Sequence, residues 1–480
     1  MSRVVVVGAG PAGINAARAA AAAGADVLLI DSAAAPGGQY HRQNSRRAAA
    51  GSADGARRGA AAPALPDRVE HLGHTVVWAL EPAPGGGHRL HLRTGPADGP
   101  ALPGRSVDTP ALVLATGAYD RALPFPGWDL PGVYTAGAAQ ALAKGQGVAV
   151  GKRVLLAGTG PFLLPIAASL IDVGARVVGV LEANDPLTGW LSQPAGLLAG
   201  RAKAGELVGY AALLARHRIP YLRRSTVVEA HGKDRLEGLT AVRLDHRWNV
   251  LPGSARRIEA DAVCVGFGFT PQLELAVAAG CSIRDGFVTV TAAQATSVPG
   301  VLAAGELTGI GGATLAADEG TVAGTAAARL LGARTRAPVR AMRKVREGRR
   351  FAAALDRAYP VRPGWRSWPR EDTLVCRCEE VTLGELRRAV EDRDACGVRS
   401  LKLVSRAGLG LCQGRVCGRN AAELTGLPAP ATAFARRPIA TPVRLGELAG
   451  TAHDPGADDR SAHDPSSHTM HDRISQEEQE

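Results

Sequence analysis

Val4-Val-Val-Val7-Gly8-Ala-Gly10-Pro-Ala-Gly13, near the start of the chain, sets the architecture of all that follows. Four valines in a row suit a strand buried on both faces, and the glycines that follow open an alanine-rich helix. A second apolar run, Val27–Ile30, ends at Asp31 and completes a β-α-β unit. The glycines divide the mechanical work. Gly8 makes the tight turn, Gly10 lets a pyrophosphate approach the backbone, and Gly13 lets helix and strand pack closely. The helix N-terminus offers free N–H groups and positive potential to phosphates. Asp31 stands where a carboxylate accepts from ribose hydroxyls, so Gly8, Gly10, Ala12, Gly13 and Asp31 are the candidate contacts of a bound dinucleotide.

Two further segments repeat this logic. Pro36-Gly-Gly38-Gln39-Tyr40 is a tight loop able to run beside a flavin, and the strand Ala111–Leu114 leads into Thr116-Gly117. A second β-α-β unit places Gly158-Thr-Gly160-Pro161 between strands Val154–Ala157 and Val177–Leu181, the latter ending at Glu182. Its third glycine is replaced by Leu163, which is expected to hold the helix away from the strand. Glu182 favours free ribose hydroxyls over a 2′-phosphate, so NAD or another adenine nucleotide fits Gly158, Gly160 and Glu182 better than NADP. The third segment runs from the strand Ala262–Val265 and Gly266-Phe-Gly268 to Gly305-Glu306, then to Gly311-Gly312-Ala313-Thr314 at the start of a helix. Gly305 and Glu306 would lie near a ribityl chain, and the helix opening at Ala313 would face the flavin ring with its positive end. In this order the three segments imply FAD.

Four cysteines follow: Cys376, Cys378, Cys412 and Cys417, a C-x-C … C-x4-C pattern. Four thiolates satisfy a 2Fe–2S cluster. Structural zinc is the rival, but its knuckles space ligands as C-x2–4-C, which fits C-x-C less well. Thr382-Leu-Gly-Glu385 predicts a capping box. Gly408, Gly410 and Gly414 bend the second loop, and Cys417 opens a helix over 418–424. Cys264 and Cys281 read as core residues, and Cys396 falls outside the ligand pattern.

The chain has 480 residues, of which 46% are hydrophobic and only 4% aromatic. That length accommodates two or three domains, with small residues filling the helices. No leader-like or long uncharged apolar segment is present, which with the odd cysteine count suggests a cytoplasmic protein without a transmembrane segment. The net charge of +11 does not imply nucleic acid, because the basic residues do not line one recognition element. Some fall in Arg46–Arg58, read as a flexible insertion. Twelve more, against two acids, fall between Arg334 and Arg370, read as a solvated linker, a docking surface for an acidic partner or a counter-charge to an anionic cluster. The tail beyond Thr451 is polar and aperiodic and is expected to be disordered.

The three glycine segments resemble the flavoproteins with two dinucleotide-binding domains, the glutathione-reductase-like fold. The resemblance implies an α/β chain with a split FAD domain (1–125 and 255–330) and an inserted NAD-type domain (126–254). A basic linker (331–370), a small helical 2Fe–2S domain (371–427), an extension (428–450) and the tail (451–480) would follow. Disulfide-reductase members carry a cysteine pair beside the flavin; none occurs between Met1 and Val263. The stretch Pro126–Gln140, with Gly158–Leu164, Gly305–Ala313 and Cys412–Gly418, is similar to the FAD-containing A or alpha subunits of heteromeric amino-acid dehydrogenases. Residues 371–427 resemble the 2Fe–2S domain of bacterioferritin-associated ferredoxin. In such enzymes the amine is oxidised on an FAD-dependent beta subunit, while the alpha subunit relays electrons to a quinone, a ferredoxin-like subunit or another acceptor. Two alternatives stand beside this: a self-sufficient NADH-dependent reductase, and a catalytically silent scaffold. No residue marks itself as a general base, so the catalytic assignment is left open.

Overall fold

The computed structural model describes residues 3–42, 64–95, 104–193, 196, 200, 204–430 and 432–451. The expected insertion at Arg46–Arg58 and the tail from residue 452 onward lie outside the described residues. Two parallel five-stranded sheets organise the chain. The first has the order Val301–Ala303, Ala111–Leu114, Val4–Val7, Val27–Ile30, Val69–Leu72; the second runs Tyr221–Arg223, Arg176–Glu182, Arg153–Gly158, Ala262–Gly266, Val133–Thr135. In each, the strand carrying the glycine turn is central, with Val4 opposite Val27 on one side and Ala111 on the other. The apolar residues of the central strands, Val4–Val7 and Val154–Ala157, are buried throughout, as continuous apolar runs require. A three-stranded antiparallel sheet accompanies each core, one from strands between Thr75 and Thr109 and one from strands between Ser225 and Ile258.

Small residues set the packing. Helices Pro11–Ala22 and Ala313–Leu330 approach so closely that a Cβ on Gly320 or Gly324 would sit 2.0 Å from the Ala12 or Ala16 carbonyl oxygen. This is how a chain poor in aromatics reaches interior density, with backbone against backbone.

Several expectations are corrected. Ala262–Gly266, assigned to the flavin half that begins at 255, is a strand of the second sheet, paired with Arg153–Gly158 and Val133–Thr135. The crossing back is made later, where Phe269–Pro271 pairs antiparallel with Ala118–Asp120. A buried apolar strand carries no mark of which sheet it will join. The basic stretch is not a solvated linker either. It contains the helix Val339–Ala358, with Ala341 and Ala352 buried, Val345 and Gly348 half-buried, and its arginines, Arg349 apart, on the outer side. Trp365 and Trp368 are buried in the core of the second unit, where Trp368 stacks on Trp248 at 5.9 Å between ring centroids. Leu163 does not push its helix off the sheet. The helix instead starts at Leu163, two residues later than the fingerprint would place it, and the side chain fills the core beneath.

The C-terminal module is a small helical unit around Cys376 and Cys417, and the capping box at Thr382 and Glu385 forms as expected. Trp128 donates its indole N–H to the Leu374 carbonyl at 2.5 Å, and Asn420 donates to the Ala122 carbonyl at 2.7 Å. Arg370 pairs with Glu229 and Arg121 with Glu423. These contacts help to fix the module and the residue that leads into it to the body. No helix among the described residues is long and apolar enough to cross a membrane.

Candidate functional site

One continuous cavity of about 2740 Å³ is lined by Gly8, Gly10, Ala12, Asp31, Gly38, Gln39, Thr116, Gly117, Gly305, Glu306 and Ala313. Drug-sized sites occupy roughly 300–1,000 Å³, so this volume suits a dinucleotide with room to spare. Of the first set of candidates only Gly13 is absent from the wall. It works from behind, because a Cβ there would lie 1.7 Å from the Gly8 carbonyl oxygen. Gly10, by contrast, has open space where its side chain would be. The helix Pro11–Ala22 starts there with no side chain capping it, so its N–H groups remain for a phosphate.

The two acids are held in place by the backbone. Asp31 accepts from the Ala9 N–H and, at 2.7 Å, from the Ala33 N–H. Glu306 accepts from Gly312 N–H at 2.8 Å and Gly311 N–H at 3.2 Å. A carboxylate has about four lone-pair sites, so each retains capacity for hydroxyls of a ligand. The open ground beside Gly10 and two oriented carboxylates fit FAD.

The second glycine turn opens on the same cavity through Thr159, Gly160 and Pro161, while Gly158 is packed against the Gly266 carbonyl. Glu182 is turned inward and is fully buried. It accepts from Thr159 Oγ1 at 2.7 Å, Gly160 N–H at 2.9 Å and Asn184 N–H at 2.9 Å. Burial pushes its carboxyl up to about 7, against the pull of those hydrogen bonds. The expected ribose contact is thus taken by the chain's own donors. Thr159 and Asn184, which complete this network, carry no sequence signal of their own.

The cysteines converge. Cys376 and Cys417 are buried, Cys412 is partly exposed and Cys378 is exposed. Cys417 lies within hydrogen-bonding reach of both Cys376 and Cys412, which holds those thiols below their usual value, at about 6 and about 4, while Cys417 is pushed up. Cys378 approaches Cys412, and its thiol is raised, first by burial. Gly408 N–H points at Cys376 Sγ from 3.5 Å. Among the described residues no group of three or more His, Cys, Asp or Glu is arranged around a single ion. The C-x-C and C-x4-C spacing of these four thiols fits two irons with two thiolates each better than one tetrahedral zinc.

The loop between Cys412 and Cys417 reaches the cavity wall through Arg415 and Val416. Arg415 pairs with Glu274 at 2.6 Å, and its guanidinium lies 5.6 Å from the ring centroid of Tyr119, two residues past Gly117. Burial, with Glu274 nearby, pushes the Tyr119 phenol up to about 12, so it keeps its proton. Arg415 lies inside the Cys412–Gly418 motif, but nothing in the motif gives it a role. Its partners Tyr119 and Glu274 lie far from it in sequence.

A family model of pyridine nucleotide-disulphide oxidoreductases matches residues 2–320, and one of the BFD-like [2Fe–2S] binding domain matches residues 374–425. The chain belongs to the pyridine nucleotide-disulphide oxidoreductase family and is an FAD-dependent oxidoreductase with a 2Fe–2S domain. The A subunit of opine oxidase from Agrobacterium tumefaciens (strain Ach5) is 34% identical over 407 residues, covering 80% of this chain and 78% of that protein. Hydrogen cyanide synthase subunit HcnB of Pseudomonas aeruginosa is 34% identical over 331 residues, covering 65% and 69%. In fold, the chain is similar to L-proline dehydrogenase from P. horikoshii, with a TM-score of 0.62 at 20% identity over 93% of this chain and 79% of that one.

Proposed function

We propose that this chain is the electron-relaying subunit of a heteromeric dehydrogenase for an amino or imino acid of the opine, hydroxyproline or sarcosine kind. Electrons from the substrate would be collected by an FAD-dependent beta subunit. They would leave this chain for a small ferredoxin-like subunit or a quinone. The observation that carries the reading is the shared wall: the cavity beside Gly10, Thr116 and Glu306 is also bounded by Arg415 and Val416 of the cysteine loop. The names of the relatives, subunits of opine oxidase and hydrogen cyanide synthase, supply the substrate class and the expectation of partners.

Bound FAD exchanges electrons in pairs or singly, and a bound 2Fe–2S cluster exchanges them one at a time. The protein's own part is to bind, orient and insulate. The helix starting at Pro11 would offer its N–H groups to the pyrophosphate, and Asp31 and Glu306 would hold ribose and ribityl hydroxyls. Ala313 would bring a second helix start to the ring. Cys376, Cys378, Cys412 and Cys417 would ligate the cluster. Tyr119 and Arg415 stand together where the cysteine loop meets the cavity wall.

Acids of the wall nearest the cysteine loop are engaged: Glu274 by Arg415 and Arg437, Glu423 by Arg121 and Arg419. A proton-abstracting role on an amine does not suit them. The inward Glu182 makes the second turn a poor site for nicotinamide turnover. An adenine nucleotide, NAD included, would sit at Gly160 for structure. The test is an anaerobic visible spectrum of the purified chain before and after NADH. The flavin is expected to stay oxidised, and to bleach once the amino-acid substrate is supplied together with its beta subunit. Rapid bleaching by NADH alone would make the chain a reductase in its own right.

A further inference from the structure

The segment that follows the iron–sulfur module returns across it. From Thr432 to Thr441 the chain lies as a strap between the cysteine loop and the flavin-binding unit. Its far end is tied by the Ala440 N–H, which donates to the Trp78 carbonyl at 2.6 Å, and Ala435 and Ala440 are buried among the apolar residues of the first unit. Phe434 covers the glycines of the cysteine loop. Cβ atoms on Gly408, Gly414 and Gly418 would fall 3.4, 2.5 and 2.6 Å from its ring. Three glycines facing one ring explain why that loop is so bare.

Arg437 then turns back toward the loop. It donates to the Phe434 carbonyl at 2.6 Å and to Gln413 Oε1, and lies 3.4 Å from Glu274. Glu274 is the carboxylate that also holds Arg415, and Arg415 donates in addition to Gln413 and to the Ala440 carbonyl. Two guanidinium groups, both about nine-tenths buried, therefore share one carboxylate. Cys412 is within electrostatic reach of Arg437, and Cys417 is within reach of Lys402. Nearer Cys378 the charges cancel, since Glu379 is paired with Arg406 at 2.7 Å. Arg415 and Arg437 against the single carboxylate of Glu274 thus leave one surplus positive charge beside the cavity wall that Arg415 lines.

We propose that the strap, through Arg437 acting with Arg415, sets the reduction potential of the cluster by fixing one uncompensated positive charge between it and the flavin cavity. Four thiolates, two ferric ions and two sulfides leave an oxidised cluster dianionic, and reduction adds one electron without making or breaking a bond. Net charge and solvent exposure are among the terms that place such potentials over a wide range. A buried cation beside the thiolates favours the more negative, reduced form, and Phe434 limits the water that would screen it. Arg437 and Arg415 are positioning residues here, since neither touches a reacting atom. The inference rests on the cluster assignment and deepens the relay reading by saying what makes the cluster a usable acceptor for flavin electrons.

The test is a potentiometric titration of the full-length holoprotein, with the cluster followed by its electron paramagnetic resonance signal. Arg437→Gln is expected to leave about tenfold less reduced cluster at a fixed potential, which for one electron is a downward shift of about 59 mV. Glu274→Gln removes the shared counter-charge and is expected to move the potential upward, and Arg437→Lys to stay near the parent. An unchanged potential in both glutamine variants overturns the proposal, as does a fall in Arg437→Lys equal to that in Arg437→Gln. If Arg437→Gln fails to hold a cluster, the sign of the Glu274→Gln shift decides alone. The relay role is judged separately, by whether reduced flavin in the parent chain delivers electrons to the cluster at all.

Discussion

Replacing Arg349 by Gln should loosen the flavin cradle in a way that depends on pH. Glu319 is fully buried beneath the segment Gly305–Thr308, where it accepts from Gly305 N–H at 2.8 Å and Thr308 Oγ1 at 3.1 Å. Arg349, on the helix that the basic stretch forms, pairs with Glu319 and donates to Thr308. Burial raises the Glu319 carboxyl above its ordinary value, and Arg349 is the largest influence pulling it back. Without Arg349 the carboxylate is buried and unpaired, a defect that typically costs about 3–5 kcal/mol. Protonation relieves that cost. A group whose folded pKa is raised contributes stability below its unfolded value and loses it as pH rises through the folded one. The Arg349→Gln deficit should therefore be small at pH 5 and grow toward pH 8. Because Gly305 and Glu306 line the cavity, the assay is thermal release of FAD, read as flavin fluorescence at both pH values. Arg349→Gln with Glu319→Gln should recover much of the loss, since an unpaired charge is no longer buried. Equal losses at pH 5 and pH 8, or simple additivity in the double variant, would show that Arg349 is not the counter-charge of Glu319.

Three further outcomes follow from the same geometry. Gly13→Ala should strip FAD from the chain, because its Cβ would meet the Gly8 carbonyl at 1.7 Å; the measurement is the flavin-to-protein ratio after purification, and an unchanged ratio contradicts the packing role. Glu182, raised from 4.5 to about 7, contributes stability below about pH 4.5 that is lost as pH rises through 7, at most roughly 3 kcal/mol. Glu182→Gln should accordingly flatten the dependence of unfolding temperature on pH between 5 and 8. Cys412→Ser should abolish the broad iron–sulfur absorption while the flavin bands persist, and should stop turnover of the assembled enzyme; undiminished turnover would favour a silent scaffold.

What could be read from the sequence was local. The strand–glycine–helix units at Val4–Gly13 and Val154–Gly160 and the capping box at Thr382 are each written in contiguous residues, and each forms. What could not be read depends on distant partners. Ala262–Gly266 has a strand's composition, but its sheet is chosen by neighbours over 100 residues away. Glu182 stands where a ribose acid should, yet its direction is fixed by Thr159 and Asn184. The basic stretch is a different case, because the spacing of Ala341, Val345, Gly348 and Ala352 is helical and was legible beneath the arginines. The strap at Thr432–Thr441 has no motif, and only Phe434 against three glycines and Arg437 against Glu274 reveal it.

A relay requires that flavin and cluster in this one chain share electrons. Anaerobic photoreduction of the isolated holoprotein measures this, with flavin followed by visible absorption and the cluster by electron paramagnetic resonance in samples frozen at intervals. The reduced-cluster signal is expected to rise together with flavin bleaching and to persist when illumination stops. Fully bleached flavin beside a cluster that stays oxidised would contradict the relay.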